Sequence, residues 1–165
     1  DGNTDIIENT IQVDNFPYDV EVNPFNNRIY VTNRESNTVS VIDGSTNQRL
    51  SNINVGESPV GISINPSDNR IYVTNLGKES SSLSIIDGIS NKVTGTVELN
   101  SLFYGVAVNP LTKTIYLSNL KNHTVSVLDE KTKNILNNIS GGNIPTGINI
   151  IYRPLKLQLS DNVLY

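Results

Sequence analysis

The chain has 165 residues and a formal net charge of -4, which is enough length for one domain with a buried core. It contains no cysteine, and this excludes both a disulfide framework and a thiolate metal site. The basic residues are scattered, which argues against nucleic acid as a partner, and no stretch approaches the roughly 18 apolar residues of a membrane span.

The chain opens with residues that recur further along. Asp1-Gly2 matches Asp43-Gly44, which stands 42 residues later, so the chain opens part of the way through a repeated unit. The next stretch, Ile6 to Val13, is predicted to be a β-strand that precedes the first complete unit. Methionine is absent even at the first position, which indicates a processed or excised piece of a longer chain.

The strongest pattern is a five-residue stretch that returns twice. Ile29 to Asn33 reads Ile-Tyr-Val-Thr-Asn, Ile71 to Asn75 repeats it verbatim, and Ile115 to Asn119 reads Ile-Tyr-Leu-Ser-Asn. Because the tyrosines stand at positions 30, 72 and 116, the period is close to 42 residues. A period of that size predicts a repeat architecture.

Each repeat reads as four short strands separated by turn residues. The second strand is the tyrosine stretch, and β-branched residues at successive positions predict that it is covered on both faces. The first strands are predicted at Asp19–Val22, Gly61–Ile64, Gly105–Val108 and Gly147–Ile150. The third strands are predicted at Thr38–Asp43, Ser82–Asp87 and Thr124–Asp129. The fourth strands are predicted at Asn47–Val55, Lys92–Leu99 and Asn134–Ile139.

These repeats resemble those of the YVTN β-propeller family, found largely in cell-surface and exported proteins of archaea and bacteria. The resemblance covers nearly the whole chain; three repeats match well and the fourth departs after Ile150. It implies an all-β propeller built from four-stranded antiparallel blades of about 42–44 residues.

The resemblance also sets the expected organisation of one propeller domain. Residues 1–16 supply the outer strand of a preceding blade, and residues 145–165 start a truncated fourth blade. Blades 1, 2 and 3 are residues 17–58, 59–102 and 103–144. We therefore expect an open arc, with an apolar blade face exposed at each end, and we expect the remaining blades of the full-length chain as partners.

Two carboxylates break the pattern of small residues on the first strand. Asp19 and Glu21 share one strand face about 7 Å apart, a separation that suits a cation or acid-base chemistry. The favoured alternative is that both are solvated near a channel or an uncovered blade edge.

The Asp-Gly turns after the third strands raise the question of calcium. The segments Asp43 to Asn47 and Asp87 to Asn91 lack the alternating oxygen ligands and the distal glutamate of a calcium loop. An Asx turn accounts for the Asp, Ser or Thr and Asn residues, so we expect turns and no metal site.

The remaining polar candidates give no catalytic site. His123 is the single histidine, and the sequence offers no cysteine and no serine–carboxylate arrangement near it. Neither a catalytic triad nor a zinc site is therefore expected within this chain, and we expect no catalytic residue and no cofactor. Asn122 and Asn138 begin glycosylation sequons, which matter only in an exported protein of an organism that glycosylates.

Loops on one propeller face are the expected place for binding, since loops on a rigid scaffold usually carry recognition. The function predicted is a non-enzymatic cell-surface or extracellular scaffold that binds a protein, glycan or envelope partner. The alternative is a propeller domain of a larger oxidoreductase or lactonase-like enzyme whose catalytic residues lie outside this chain. The candidate binding residues on these loops are Arg34, Glu35, Glu57, Lys78, Glu79, Lys121 and His123.

Overall fold

A computed structural model describes residues 5–150, and these residues form twelve β-strands and no helix. In this part of the chain there is consequently no helix that could cross a membrane. The strands are β1 (Pro17–Asn23), β2 (Arg28–Asn33), β3 (Thr38–Asp43), β4 (Gln48–Asn54), β5 (Pro59–Asn65), β6 (Arg70–Asn75), β7 (Ser81–Asp87), β8 (Lys92–Leu99), β9 (Phe103–Asn109), β10 (Thr114–Asn119), β11 (Thr124–Asp129) and β12 (Ile135–Ser140).

The strands form three separate four-stranded sheets in sequence order, β1 to β4, β5 to β8 and β9 to β12, and all pairings are antiparallel. These sheets are the predicted blades 1, 2 and 3. Tyr30 pairs with Val41, Tyr72 with Ile85 and Tyr116 with Val127. The three tyrosines therefore hold equivalent second-strand positions, as the repeat predicts.

The hydrophobic cores lie between blades, since side chains on a strand alternate between its two faces. The second-strand tyrosines of blades 1 and 2 face the following blade, while the isoleucine and the valine or leucine that flank the tyrosine in blades 2 and 3 face the preceding blade. The core between blades 1 and 2 contains Tyr30, Val39, Val41 and Ile53 on one side and Ile62, Ile64, Ile71, Val73 and Ile86 on the other. The core between blades 2 and 3 contains Tyr72, Leu83, Ile85 and Leu99 against Phe103, Val106, Val108, Ile115, Leu117 and Leu128.

A buried hydroxyl group joins each blade to the next. Thr74 Oγ1 accepts a hydrogen bond from the backbone N–H of Gly61 at 3.0 Å and contacts the carbonyl oxygen of Tyr104 in blade 3. In blade 1, Thr32 Oγ1 accepts from the N–H of Asp19 at 2.9 Å and donates to the carbonyl oxygen of Val60 at 3.1 Å. The first strand is irregular in register at this point in every blade, so the hydroxyl pairs backbone groups that the sheet leaves free.

Glycine is required where a first strand lies against the backbone of the next first strand or of the segment that follows blade 3. A Cβ atom on Gly61 would lie 2.6 Å from the carbonyl oxygen of Tyr104, and one on Gly105 would lie 2.7 Å from that of Thr146. Both distances are too short for a real contact. The small residues predicted on the first strand are therefore set by the backbone of the neighbouring blade.

The motif asparagine fixes the pairing inside its own blade. Asn33 Nδ2 donates to Thr38 Oγ1 at 3.1 Å and to Ser40 Oγ at 2.9 Å, and Asn75 makes the same two bonds, to Ser82 and Ser84. These bonds join the second strand to the third under almost complete burial. The five-residue motif thus combines contacts within a blade and contacts between blades.

The Asp turns have the hydrogen bonds of the predicted Asx turns. Asp43 Oδ1 accepts the backbone N–H groups of Ser45 and Thr46, both at 2.8 Å, and Asp87 and Asp129 accept the equivalent groups of Ser90 and Thr132. Asn47 and Asn91 at the ends of these turns have positive φ angles, which asparagine tolerates.

Two predicted strands are absent from the described residues. Ile6–Val13 forms no strand, because the third strand that an outer strand needs as its partner is not among residues 5–150. The segment is instead anchored at Asp14, which accepts hydrogen bonds from Thr38, Asn52 and Arg49.

At the other end, Gly147–Ile150 is also not a strand, although Thr146 and Ile148 lie beside Gly105, where a fourth first strand would lie. The second strand expected at the end of the chain lies outside the described residues. Gly147–Ile150 therefore has no described partner strand with which to pair.

The face of blade 1 that points away from blade 2 is uncovered. Val20 and Val22 are 56% and 52% exposed, whereas the equivalent Ile62 and Ile64 of blade 2 are 4% and 7% exposed beneath blade 1. This open apolar face is the one expected at the end of an arc.

Replacing the inter-blade hydroxyl tests its contribution. We expect Thr74→Val to lower the free energy of unfolding by about 2 kcal/mol, because the N–H of Gly61 and the carbonyl of Tyr104 lose a buried partner while side-chain shape is kept. Thr96→Val, on exposed β8, is the matched control and should change little. Urea unfolding measures both, and equal midpoints for the two variants would contradict the assignment.

The Asp turns should make the fold acid-sensitive. Backbone N–H groups of Thr46, Ser90 and Thr132 hold the pKa of Asp43, Asp87 and Asp129 below the ordinary value of 3.8. Since a depressed pKa stabilises the fold above the ordinary value and this stabilisation is lost as the pH falls, the triple Asp→Asn variant should show a shallower loss of stability between about pH 5 and pH 2.

Charge is controlled in that experiment by a triple Glu→Gln variant at the exposed residues Glu8, Glu79 and Glu98. If this control flattened the pH profile as much as the Asp→Asn variant does, the turns would not be its cause.

The loop from Leu76 to Ser81 is two residues longer than its counterparts, Arg34 to Asn37 and Leu120 to His123. The counterpart turns are closed locally, for example by the N–H of Ser36 on the carbonyl of Asn33 at 3.2 Å. We expect faster amide hydrogen exchange in the longer loop. Equal exchange in all three loops, measured by mass spectrometry, would disprove this.

Candidate binding site on the loop face

The antiparallel order places two kinds of loop on the same side of the arc. These are the loops joining second to third strands and those joining a fourth strand to the next first strand, and together they form what we call the loop face. All seven loop residues predicted from the sequence lie there. They are Arg34 and Glu35 in blade 1, Glu57 at the blade 1 to blade 2 connection, Lys78 and Glu79 in blade 2, and Lys121 and His123 in blade 3.

The structure brings three of them together. Arg34, Glu35 and Glu57 line one groove of about 490 Å³, together with Phe16 and Ser58. The groove therefore combines one cation, two carboxylates and an aromatic ring. Its volume is within the range of small-ligand pockets.

The guanidinium group of Arg34 lies against two aromatic rings. Its Cζ atom is 5.9 Å from the ring centroid of Phe16 and 5.7 Å from that of Tyr18. The two rings are stacked, with centroids 6.3 Å apart and planes inclined by 16°. Cation–π attraction of this kind orients the cation without a salt bridge.

The backbone around Phe16 is held in an unusual conformation. Its φ angle is 57°, in the left-handed region that a bulky residue rarely adopts. The N–H of Arg34 donates to the carbonyl oxygen of Phe16 at 2.9 Å, and Ser36 Oγ accepts from the N–H of Asn15 at 2.9 Å. These bonds fix the turn that presents the ring, which is 50% exposed.

Blade 3 extends the aromatic surface across the axis of the arc. The ring of Tyr104 lies edge-on to Tyr18 with centroids 5.8 Å apart, and their hydroxyl groups are in contact. Burial and then the hydrogen bond with Tyr18 raise the pKa of Tyr104 to about 12. The Tyr104 hydroxyl therefore stays protonated at neutral pH and can donate or accept hydrogen bonds.

Below these rings, the first strands and residues 146–149 line a cavity of about 410 Å³. Asp19 and Glu21 both line it, but they differ in role. The two carboxylate oxygens of Asp19 accept the N–H groups of Val20 at 2.9 Å and of Ile62 in blade 2 at 3.1 Å. Asp19 therefore joins two blades.

Glu21 lines the same cavity. Burial raises its pKa, and the neighbouring charge of Asp19 raises it further. Among residues 5–150 there is no group of three or more metal-ligating side chains close enough to hold an ion.

The other predicted residues are spread over the loop face. Lys78 and Glu79 are exposed in the loop between β6 and β7, and Lys121 is exposed in the loop between β10 and β11. His123 Nδ1 accepts the backbone N–H of Ile144 at 3.2 Å, so this histidine holds the connection that leaves blade 3.

Both sequon asparagines are exposed, but they lie in different structural contexts. Asn122 is exposed in the β10–β11 loop, whereas Asn138 lies in β12 and its side-chain oxygen accepts from Ser126 Oγ at 2.6 Å.

Three aromatic residues of the site were missed by the sequence interpretation: Phe16, Tyr18 and Tyr104. Comparing the repeats position by position would have indicated the blade 1 cluster. Arg34 stands where blades 2 and 3 carry Leu76 and Leu120, and Phe16 stands where blade 2 carries Ser58. Departures of this kind from the chain's own repeat converge on one groove.

Comparison with known proteins supports the fold. No protein-family model matches the chain, and no curated protein matches its sequence. Among solved structures, hydrazine synthase from Kuenenia stuttgartiensis is similar, with a TM-score of 0.71 and 18% identity over 86% of this chain and 41% of that one. Apo AztD from Citrobacter koseri has a TM-score of 0.66 and 16% identity over 79% of this chain and 36% of that one.

A third similar structure, U3-55K, has a TM-score of 0.68 and 12% identity over 82% of this chain and 42% of that one. These neighbours are β-propeller proteins, so the described blades are an open arc of a propeller. The chain spans about two-fifths of the length of each neighbour. At such low identities the likeness concerns the fold alone.

Proposed function

We propose that this chain is a non-enzymatic scaffold of a cell-surface or exported protein that binds a protein or glycan of the cell envelope through its loop face. The observation that carries the proposal is the position of the Arg34 guanidinium over the rings of Phe16 and Tyr18, at the edge of a groove containing Glu35 and Glu57.

The composition of the groove supports recognition by contact. Aromatic residues and arginine are enriched among the residues that dominate the energetics of protein interfaces, because aromatic rings bury much area and the guanidinium group makes several directed hydrogen bonds. Phe16 and Tyr18 remain 50% and 42% exposed, and a folded chain leaves such rings uncovered at a cost that a partner would remove. The carboxylates of Glu35 and Glu57 can accept hydrogen bonds from hydroxyl or amine groups.

The groove is also preorganised. The backbone N–H of Arg34 donates a hydrogen bond to the carbonyl oxygen of Phe16, and its guanidinium group lies against the two rings. The Arg34 side chain therefore has little conformational freedom to lose on binding. The blades beneath it are rigid sheets that pack on one another. A partner would therefore meet the groove in its binding conformation.

The cell-surface location rests on the resemblance of the repeats to the YVTN family. The exposed sequon at Asn122 is compatible with an exported protein.

A second candidate is a propeller domain of a larger enzyme. The observation that favours it is the likeness in fold to a protein named as a hydrazine synthase. In this case the catalytic residues would lie on parts of the protein outside this chain, and the blades described here would position them.

A substitution taken from the chain itself tests the loop-face proposal. Arg34→Leu installs the residue that blades 2 and 3 carry at this position. We expect the wild-type chain to bind members of a microbial-glycan array or a surface-protein peptide array, and the variant to bind them at least about tenfold more weakly, since a desolvated charged contact is lost.

Lys92→Leu, on the outer strand β8, is the control because it removes the same charge away from the loop face. Circular dichroism and thermal melting of both variants would show whether they fold as the wild type does. If the wild-type chain bound neither array, or if the two variants lost binding equally, the loop-face proposal would be wrong.

A further inference from the structure

On the side opposite the loop face, the seam between blades 2 and 3 contains a cavity of about 870 Å³. Four cationic side chains line it, and two carboxylates, Asp68 and Glu130, lie among them. The balance of these six groups is two positive charges, although the whole chain has a formal net charge of -4. The cations are Arg70, Lys113, Lys131 and Lys133.

Most of these groups are departures from the repeat. Lys113 stands where blade 2 has Asn69, Glu130 where it has Gly88, and Lys133 where it has Asn91. In the other blades these positions are turn residues that serve the backbone. In blade 3 all three substitutions introduce charge, and all three line one cavity. Charged residues that were only solvated in their turns would have no reason to line the same cavity.

The seam between blades 1 and 2 shows what the cavity replaces. There, Nη1 of Arg28 donates to the carbonyl oxygen of Gly88 at 3.1 Å and to Asn91 Oδ1 at 3.3 Å, which ties the two blades together. Arg70 is the equivalent residue in blade 2. It pairs instead with Asp68 of its own turn, at 3.4 Å, and its side chain is 49% exposed. The Arg70 guanidinium is therefore presented to the cavity.

Glu130 joins blade 3 to blade 2, as Arg28 joins blade 1 to blade 2. It is 6% exposed, and its Oε1 accepts from the hydroxyl of Tyr72 at 2.7 Å and from Asn65 Nδ2 at 2.6 Å. The ammonium group of Lys133 contacts the backbone carbonyl of Glu130 and lies 5.2 Å from the Tyr72 ring centroid. Both hydrogen bonds of the Glu130 carboxylate are therefore made with blade 2. Lys113 and Lys131 are exposed at the rim of the cavity.

We propose that this cavity binds a small organic anion of the phosphate-monoester class, with its dianionic group among Arg70 and the three lysines. A dianion matches the two excess positive charges, and guanidinium and ammonium groups are the common ligands of phosphate oxygens. Ile85 and Pro110 provide an apolar wall for the organic part. The volume lies within the roughly 300–1,000 Å³ of small-molecule sites. The site is separate from the loop-face groove and does not depend on it.

Phenyl phosphate is the probe for this site, followed by amide chemical shifts at constant ionic strength. We expect saturable shifts at Arg70, Gly95 and Lys133, weaker binding of inorganic phosphate because it lacks the apolar part, and no binding of benzylamine. Benzoate, with one charge, should bind more weakly than phenyl phosphate. Absence of saturable binding of phenyl phosphate at millimolar concentration, or equal binding of benzylamine, would overturn the proposal.

Variants locate the binding. Lys113→Asn with Lys131→Ser restores the residues of blade 1, Asn27 and Ser45, at two exposed positions and leaves Glu130 and Tyr72 in place. We expect phenyl phosphate to bind at least about tenfold more weakly, with an unchanged melting temperature. The control pair Lys78→Ser and Lys121→Asn removes the same charge from the loop face and should bind as the wild type does. Equal weakening in both pairs would mean general charge screening and no site.

Discussion

The described structure depends on one buried hydroxyl group per blade. Thr32, Thr74 and Ser118 sit at the point where the first strand loses its regular pairing, and each satisfies a backbone N–H of its own blade. The same oxygen lies against a carbonyl of the next blade, or of the segment beyond blade 3. A buried polar atom left without a partner is costly, so these contacts restrict the separation and the angle between neighbouring blades. Apolar packing supplies most of the burial, but it is not directional, and the hydroxyl gives the arrangement its geometry.

The parts of this fold that the sequence predicts are those fixed within one period. Strand positions follow from β-branched residues and turn residues, and the predicted bounds of the third strands differ from those observed by at most one residue. Ile6–Val13 and Gly147–Ile150 fail for a different reason. A β-strand needs a partner strand for its backbone hydrogen bonds, and the residue pattern of one segment does not show whether a partner lies beside it. Local sequence therefore indicates β propensity, whereas strand formation depends on a neighbouring strand.

The candidate site shows the same limit. Arg34, Glu35 and Glu57 were expected on one face because antiparallel strands place their loops there. Their meeting with Phe16 and Tyr18 depends on the path of the chain before blade 1 and on the left-handed turn at Phe16, which no propensity indicates. Asp19 was interpreted as a free carboxylate, yet both of its oxygens accept backbone N–H groups, one of them from the next blade. Interpreting such a residue requires the neighbour that it touches.

The contacts between blades have a direction. Tyr30 and Thr32 contact blade 2, and Tyr72 and Thr74 contact blade 3. In blades 2 and 3 the residues between the tyrosine and the hydroxyl residue, Val73 and Leu117, pack against the preceding blade. One repeat therefore encodes both a donor face and the matching acceptor face. An in-frame duplication of a single repeat copies the two faces together, and the new unit fits on either side without further change. Lengthening of the gene by unequal recombination would then yield a foldable array at once, and later substitutions confined to individual turns could specialise single blades.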